Sequence, residues 1–147
     1  MGRKKMWLVV LMVACYAIWA AGSAPISQAA SSKKDAIQVM KKAGVGSYLA
    51  DSKGMTLYYF KKDSPGKSAC AGPCVEKWPL FHVDKISVKS KLKAKDFGQI
   101  TRDDGKMQTT YKGYPLYYFV NDKKPADTAG QGVNEVWFVV DPAKFKP

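Results

Sequence analysis

The sequence predicts an all-β domain made of two tandem repeats of short antiparallel strands and hairpins, packed as one pseudo-two-fold sandwich or barrel-like unit. Three observations lead there. Residues 53–63 and 112–122 are identical at seven of eleven positions, 59 apart, and the same offset carries Glu76 and Trp78 onto Glu135 and Trp137. An offset held that far without a gap marks a duplicated structural unit. Short apolar runs of period two recur between Gly, Asp and Pro turn signals, as strands require. Beyond residue 35, no stretch has the apolar spacing of an amphipathic helix. Each copy is too short to bury much core alone, so the two are expected to complete one another.

Residues 1–29 read as a signal peptide. Arg3, Lys4 and Lys5 form a positive start, residues 6–21 are uncharged and almost wholly apolar, and small residues follow. The apolar run is short for a membrane span, and cleavage is expected after Ala29, with a cut after Ser23 or a retained N-terminal membrane anchor as the alternatives. Cys15 follows Met12-Val13-Ala14, a partial lipobox, and is the candidate for lipidation. Loss of the segment removes three basic residues and leaves 21 against 12 acidic ones, a charge of +9. Arg102 is then the only arginine. Nucleic-acid readers rely on arginine forks, so this lysine excess points away from nucleic acid. It suits a basic surface drawn to anionic envelope material.

Residues 30–36 form a polar lead-in, and the first repeat spans 37–84. Ile37 and Val39 alternate as in a strand, and residues 45–51 form a second. Ser52-Lys53-Gly54 then turns the chain into residues 55–61 as a hairpin. Within the motif, Tyr58 and Phe60 point to one face and Leu57 and Tyr59 to the other. Both faces are apolar, which marks a central strand. Asp63 follows the strand end, where its side chain can accept backbone N–H bonds.

Residues 85–96 connect the copies. Lys85, Lys89, Lys91, Lys93 and Lys95 alternate with Ile86, Val88, Leu92 and Ala94, predicting an extended strand with one lysine face. The plain reading is a solvated edge strand that resists aggregation. The functional reading is a docking stripe for an anionic envelope component or protein.

The second repeat spans 97–142. Residues 97–102 and 106–111 read as strands around Asp103-Asp104-Gly105, a strong hairpin signal. Lys112-Gly113-Tyr114-Pro115 turns the chain into a strand at 116–120, carrying Tyr117 and Phe119 and followed by Asp122. Residues 133–140 form the last strand, and 143–147 are a tail.

The doubled Tyr-x-Phe-x-x-Asp at 58–63 and 117–122, the Cys70-x-x-x-Cys74 spacing before Trp78-Pro79, and residues 96–105 with Gln108 and Tyr111 resemble one family. It is the bacterial secreted-repeat family, also described as predicted lipoproteins with the Yx(FWY)xxD motif. The resemblance covers about residues 45–142. It implies an envelope or secreted protein built of two repeats, with no established activity.

Cys70 and Cys74 are the sharpest local feature. Gly72-Pro73 lets the chain bend between them, and an exported chain meets oxidising conditions. The plain reading is a structural disulfide. The alternative is a redox pair or a copper site using Cys70, Cys74 and His82, the only histidine. Zinc would want four ligands, and three obvious ones are present. Nothing else points to catalysis. One histidine offers no Ser-His-Asp set, Asp103 and Asp104 diverge from one turn, and Gly130-Gln131-Gly132 is not a dinucleotide loop. Tyr58, Phe60, Trp78 and their copies Tyr117, Phe119 and Trp137 are expected to be core where the halves meet. A sugar-binding aromatic surface is the alternative. The expectation is therefore a non-catalytic envelope β-repeat protein that binds a partner, without a cofactor. The competing readings are a small redox or copper-handling protein and a carbohydrate-binding module.

Overall fold

A computed structural model describes residues 36–89 and 91–147. The expected signal segment, Cys15 and the start of the lead-in lie outside the described residues. In chain order the strands are β1 (Ala36–Lys42), β2 (Gly46–Ala50), β3 (Tyr58–Phe60), β4 (Ser87–Val88), β5 (Phe97–Thr101), β6 (Met107–Tyr111), β7 (Tyr114–Pro115) and β8 (Trp137–Val139). Among the described residues, one short helix, α1 (Pro73–Lys77), and 3-10 turns at Ala94–Asp96 and Val133–Glu135 complete the elements. The domain is all-β, in three small sheets ordered β2-β1-β4, β3-β8 and β5-β6-β7. Among the described residues no closed barrel forms.

The hairpins β1–β2 and β5–β6 are antiparallel and occupy equivalent places in the two repeats. Asp103-Asp104-Gly105 turns the second as expected. Gly105 sits at φ 77° and its N–H donates to the Arg102 carbonyl at 2.9 Å. The left-handed backbone there favours glycine.

The two motif segments lie side by side and antiparallel. Tyr58 N–H donates to the Tyr117 carbonyl at 2.9 Å, and Tyr117 N–H donates to the Tyr58 carbonyl at 3.0 Å. On its other edge each segment pairs with the tryptophan segment of the opposite repeat. In β3–β8, Phe60 is in register with Trp137, Tyr59 with Phe138 and Tyr58 with Val139. In the mirror arrangement, Tyr118 N–H reaches the Pro79 carbonyl at 2.8 Å and Val120 N–H the Lys77 carbonyl at 3.0 Å. The repeats are thus intertwined.

The alternation within the motif divides the core. Leu57 and Leu116 face a cluster with Ile37, Leu49, Phe81 and Val140. Tyr58 and Tyr117 face a second cluster with Phe60, Cys70, Trp78 and Trp137. Both faces of the central segments are therefore packed, as their two apolar faces predict.

Several expected strands are corrected. Residues 116–120 do not form one continuous strand. Pro79 stands where the other copy has Phe138, and without an N–H it cannot return the bond from Tyr118. Residues 133–140 begin with a 3-10 turn, because Asn134 and Glu135 take φ of 52° and 60°. Residues 55–61 pair with β2 through the Ala50–Thr56 bridge before β3 leaves to join β8. The described residues of 85–95 do not form one strand. Only Ser87–Val88 pairs, parallel to β1, and a 3-10 turn follows at Ala94–Asp96. The period-two burial survives in part, with Ala94 exposed. Ile86, Val88 and Leu92 pack on the first cluster, while Lys85, Lys89, Lys91, Lys93 and Lys95 are exposed. Helix α1 was not expected. Pro73 opens it, a position where its missing N–H costs nothing.

Candidate functional site

The chemistry-bearing residues of the motif meet at the junction of the repeats. Four rings form one stack: Phe60 on Trp137 at 4.3 Å between centroids, Trp137 on Trp78 at 3.8 Å and 4° between planes, and Trp78 on Phe119 at 4.3 Å. Tyr58 meets Trp78 edge-on at 5.5 Å, and Tyr117 meets Trp137 edge-on at 5.1 Å. Such contacts each add about 0.5–1.5 kcal/mol beyond the area they bury. Phe60 lies outside the Trp137 ring and Phe119 outside the Trp78 ring, so each repeat caps the tryptophan of the other.

The tyrosine hydroxyls cross between copies as well. Tyr58 donates to Asp122 Oδ2 at 2.6 Å, and Tyr117 donates to Asp63 Oδ2 at 2.7 Å. The other carboxylate oxygens accept equivalent backbone bonds, from Ala69 N–H to Asp63 at 2.6 Å and from Ala129 N–H to Asp122 at 2.8 Å. Each aspartate therefore closes the loop after its own motif and holds the tyrosine of the other. The copies differ around the phenols. Ser68 Oγ lies 2.5 Å from the Tyr117 hydroxyl, whereas Gly130 N–H donates to the Tyr58 hydroxyl at 3.2 Å.

Both aspartates are only 7% exposed. Burial pushes the Asp63 carboxyl up to about 6, against the opposing effects of the Ala69 N–H, the Tyr117 hydroxyl and the Arg102 charge. Burial also raises both phenols well above the ordinary tyrosine range, and the neighbouring aspartates add to the shift.

Cys70 and Cys74 are joined, with S–S at 1.98 Å and Cα atoms 5.4 Å apart. Cys70 lies in the second core cluster beside the aromatic stack. His82 is not brought to them. It is exposed and pairs with Asp84 at 3.3 Å. Among the described residues no three of His, Cys, Asp and Glu gather as a metal-holding group. The copper set of Cys70, Cys74 and His82 is therefore not assembled here.

Of the motif aromatics and their tryptophans, Tyr58, Phe60, Trp78, Tyr117 and Trp137 are buried and Phe119 is half-buried, as expected for core. Several buried polar residues escaped sequence reasoning, Arg102 and Asp51 among them. Arg102 donates to Gln108 Oε1 at 2.6 Å and to the Cys70 carbonyl, with Asp104 at 3.5 Å from its Nε. It ties the β5–β6 hairpin to the disulfide loop. The available signal was its being the sole arginine beyond residue 29, among many lysines, since a fork of donors suits several acceptors at once.

The family described as a secreted repeat of unknown function matches residues 39–82 and again 98–141, more than half of the chain. The chain belongs to that family. The two matched stretches are the two intertwined repeats. No curated protein and no solved structure was found to match the chain. Among the described residues, no helix is long and apolar enough to cross a membrane. The family is described as secreted, in keeping with the export expected from residues 1–29.

Proposed function

We propose that this is an exported, non-catalytic β-repeat protein of the cell envelope, periplasmic or extracellular, that acts as a binding module for an anionic envelope component. The observation that carries the reading is the connector. Lys85, Lys89, Lys91, Lys93 and Lys95 are exposed while Ile86, Val88 and Leu92 anchor the same segment to the core. The arrangement presents positive charge from a fixed base. A lysine near an anionic surface contributes about 1 kcal/mol, so five together can hold a protein there. The aspartates of the motif are engaged by phenols and loop N–H groups, which supports a binding role over a hydrolytic one.

Co-sedimentation of the processed chain with phosphatidylglycerol vesicles tests this reading. Binding is expected to fall steeply with salt, and to weaken at least about tenfold when the five lysines are replaced by glutamine. Equal binding by the replaced protein, or binding indifferent to salt, would remove the connector from the account.

A further inference from the structure

The junction of the repeats holds more than a core requires. A buried tyrosine hydroxyl needs a partner, and a neutral amide would serve without bringing charge indoors. The chain instead places a carboxylate against each phenol, at 2.6 Å and 2.7 Å, and does so twice by symmetry. A carboxylate can take the phenol's proton. Beside each phenol lies an indole of a parallel pair 3.8 Å apart, the geometry in which two rings share one positive charge. The stack runs outward through Phe119, which is half-buried, while Phe60 closes its other end inside the core.

We propose that these rings form a one-electron oxidation site, in which the Trp78–Trp137 pair gives up an electron and Tyr58 or Tyr117 holds the resulting hole. The oxidant is a one-electron acceptor of high potential, a high-valent transition-metal complex, that reaches the surface near Phe119. It takes one electron from the indole pair and is itself reduced, leaving one positive charge shared between the two rings. An electron then passes from a phenol to the pair, and the phenol proton moves to the carboxylate hydrogen-bonded to it. Tyr58 gives its proton to Asp122, or Tyr117 gives its proton to Asp63. The products are neutral indoles, a neutral tyrosyl radical and a carboxylic acid, so charge, proton and electron all balance. The oxidising equivalent comes to rest inside the protein, away from its surroundings. This activity is independent of the lysine connector.

Flash photolysis of the processed chain with photogenerated ruthenium(III) tris-bipyridine tests the site. Of the four tryptophans, Trp7 and Trp19 lie in the expected signal segment, so a chain starting at Ala30 reports only on Trp78 and Trp137. The expected course is an indole radical with the near-infrared absorption of a shared pair, converting to a tyrosyl radical. In Tyr58→Phe/Tyr117→Phe the tyrosyl product is lost and the indole radical lives at least tenfold longer. In Asp63→Asn/Asp122→Asn, checked for folding by near-ultraviolet circular dichroism, tyrosyl formation slows at least tenfold. Tyr59→Phe, on the opposite face of the motif, leaves the course unchanged. A tyrosyl radical formed at the same rate in either double variant would overturn the proposal, as would an indole radical without the shared-pair absorption. If the phenylalanine variant does not fold, the asparagine variant decides.

Discussion

Asp63 and Asp122 each do two things with two oxygens. One oxygen closes the loop after the residue's own motif, and the other receives a phenol from the opposite motif. The Asp63 carboxyl, pushed up to about 6 by burial, makes stability depend on pH. Its folded value lies above the unfolded value of 3.8, so between those values the folded state binds the proton more tightly. The stabilisation is complete below about pH 4 and is lost as pH rises through about 6. Urea denaturation across that window should show stability falling with rising pH, and Asp63→Asn should flatten the fall. At Gly130 an added Cβ would meet the Tyr58 ring at 2.8 Å and Trp78 at 2.9 Å. Gly130→Ala is expected to cost about 1–3 kcal/mol in urea melts, since both rings are held on every side. The sequence showed which residue types the motif repeats, and the alternation showed which face each would take. It did not show that Tyr58 would choose Asp122 over Asp63, because two identical motifs offer both aspartates and only the packing decides.

At the scale of elements, the disulfide loop is where the two copies differ most. The second copy has no cysteines, and Gly130 lies near the counterpart of Cys70, against Tyr58 and Trp78. In the first copy Cys70 fills the core and its carbonyl receives Arg102, so the loop is held by the β5–β6 hairpin as well as by sulfur. The ring closed by the disulfide is short, and its entropic contribution is on the order of 2 kcal/mol or less. Cys70→Ser/Cys74→Ser should therefore lower stability by about that much and leave the fold intact by circular dichroism. Complete unfolding would mean that Arg102 and the core do not hold the loop. Turns were legible here because glycine and Asp-Gly signals act locally. Strand extents were less so. Pro79 breaks its ladder only because Tyr118 lies opposite, and the left-handed backbone at Asn134 and Glu135 has no residue signal of the kind glycine gives. The connector kept the inward packing of Ile86, Val88 and Leu92 without being a strand, since a period of two fixes which side chains face inward and not which backbone groups pair.

For the whole molecule, the intertwining explains why duplication matters. A single repeat would leave its motif segment without the tryptophan segment that pairs with it, and its tryptophan without the phenylalanine that caps it. The periodicity in sequence pointed to two units completing one another, and the exchange of partners between them emerged only from long-range contacts. A set of double-mutant cycles between motif tyrosines and aspartates, read by urea denaturation at neutral pH, tests that exchange most directly. Tyr58→Phe and Asp122→Asn should be non-additive by about 0.5–3 kcal/mol, as contacting residues are, and Tyr117→Phe with Asp63→Asn likewise. Tyr58→Phe with Asp63→Asn, within one motif, should add to within about 0.5 kcal/mol. Strong coupling within each motif and none across would contradict the intertwined arrangement.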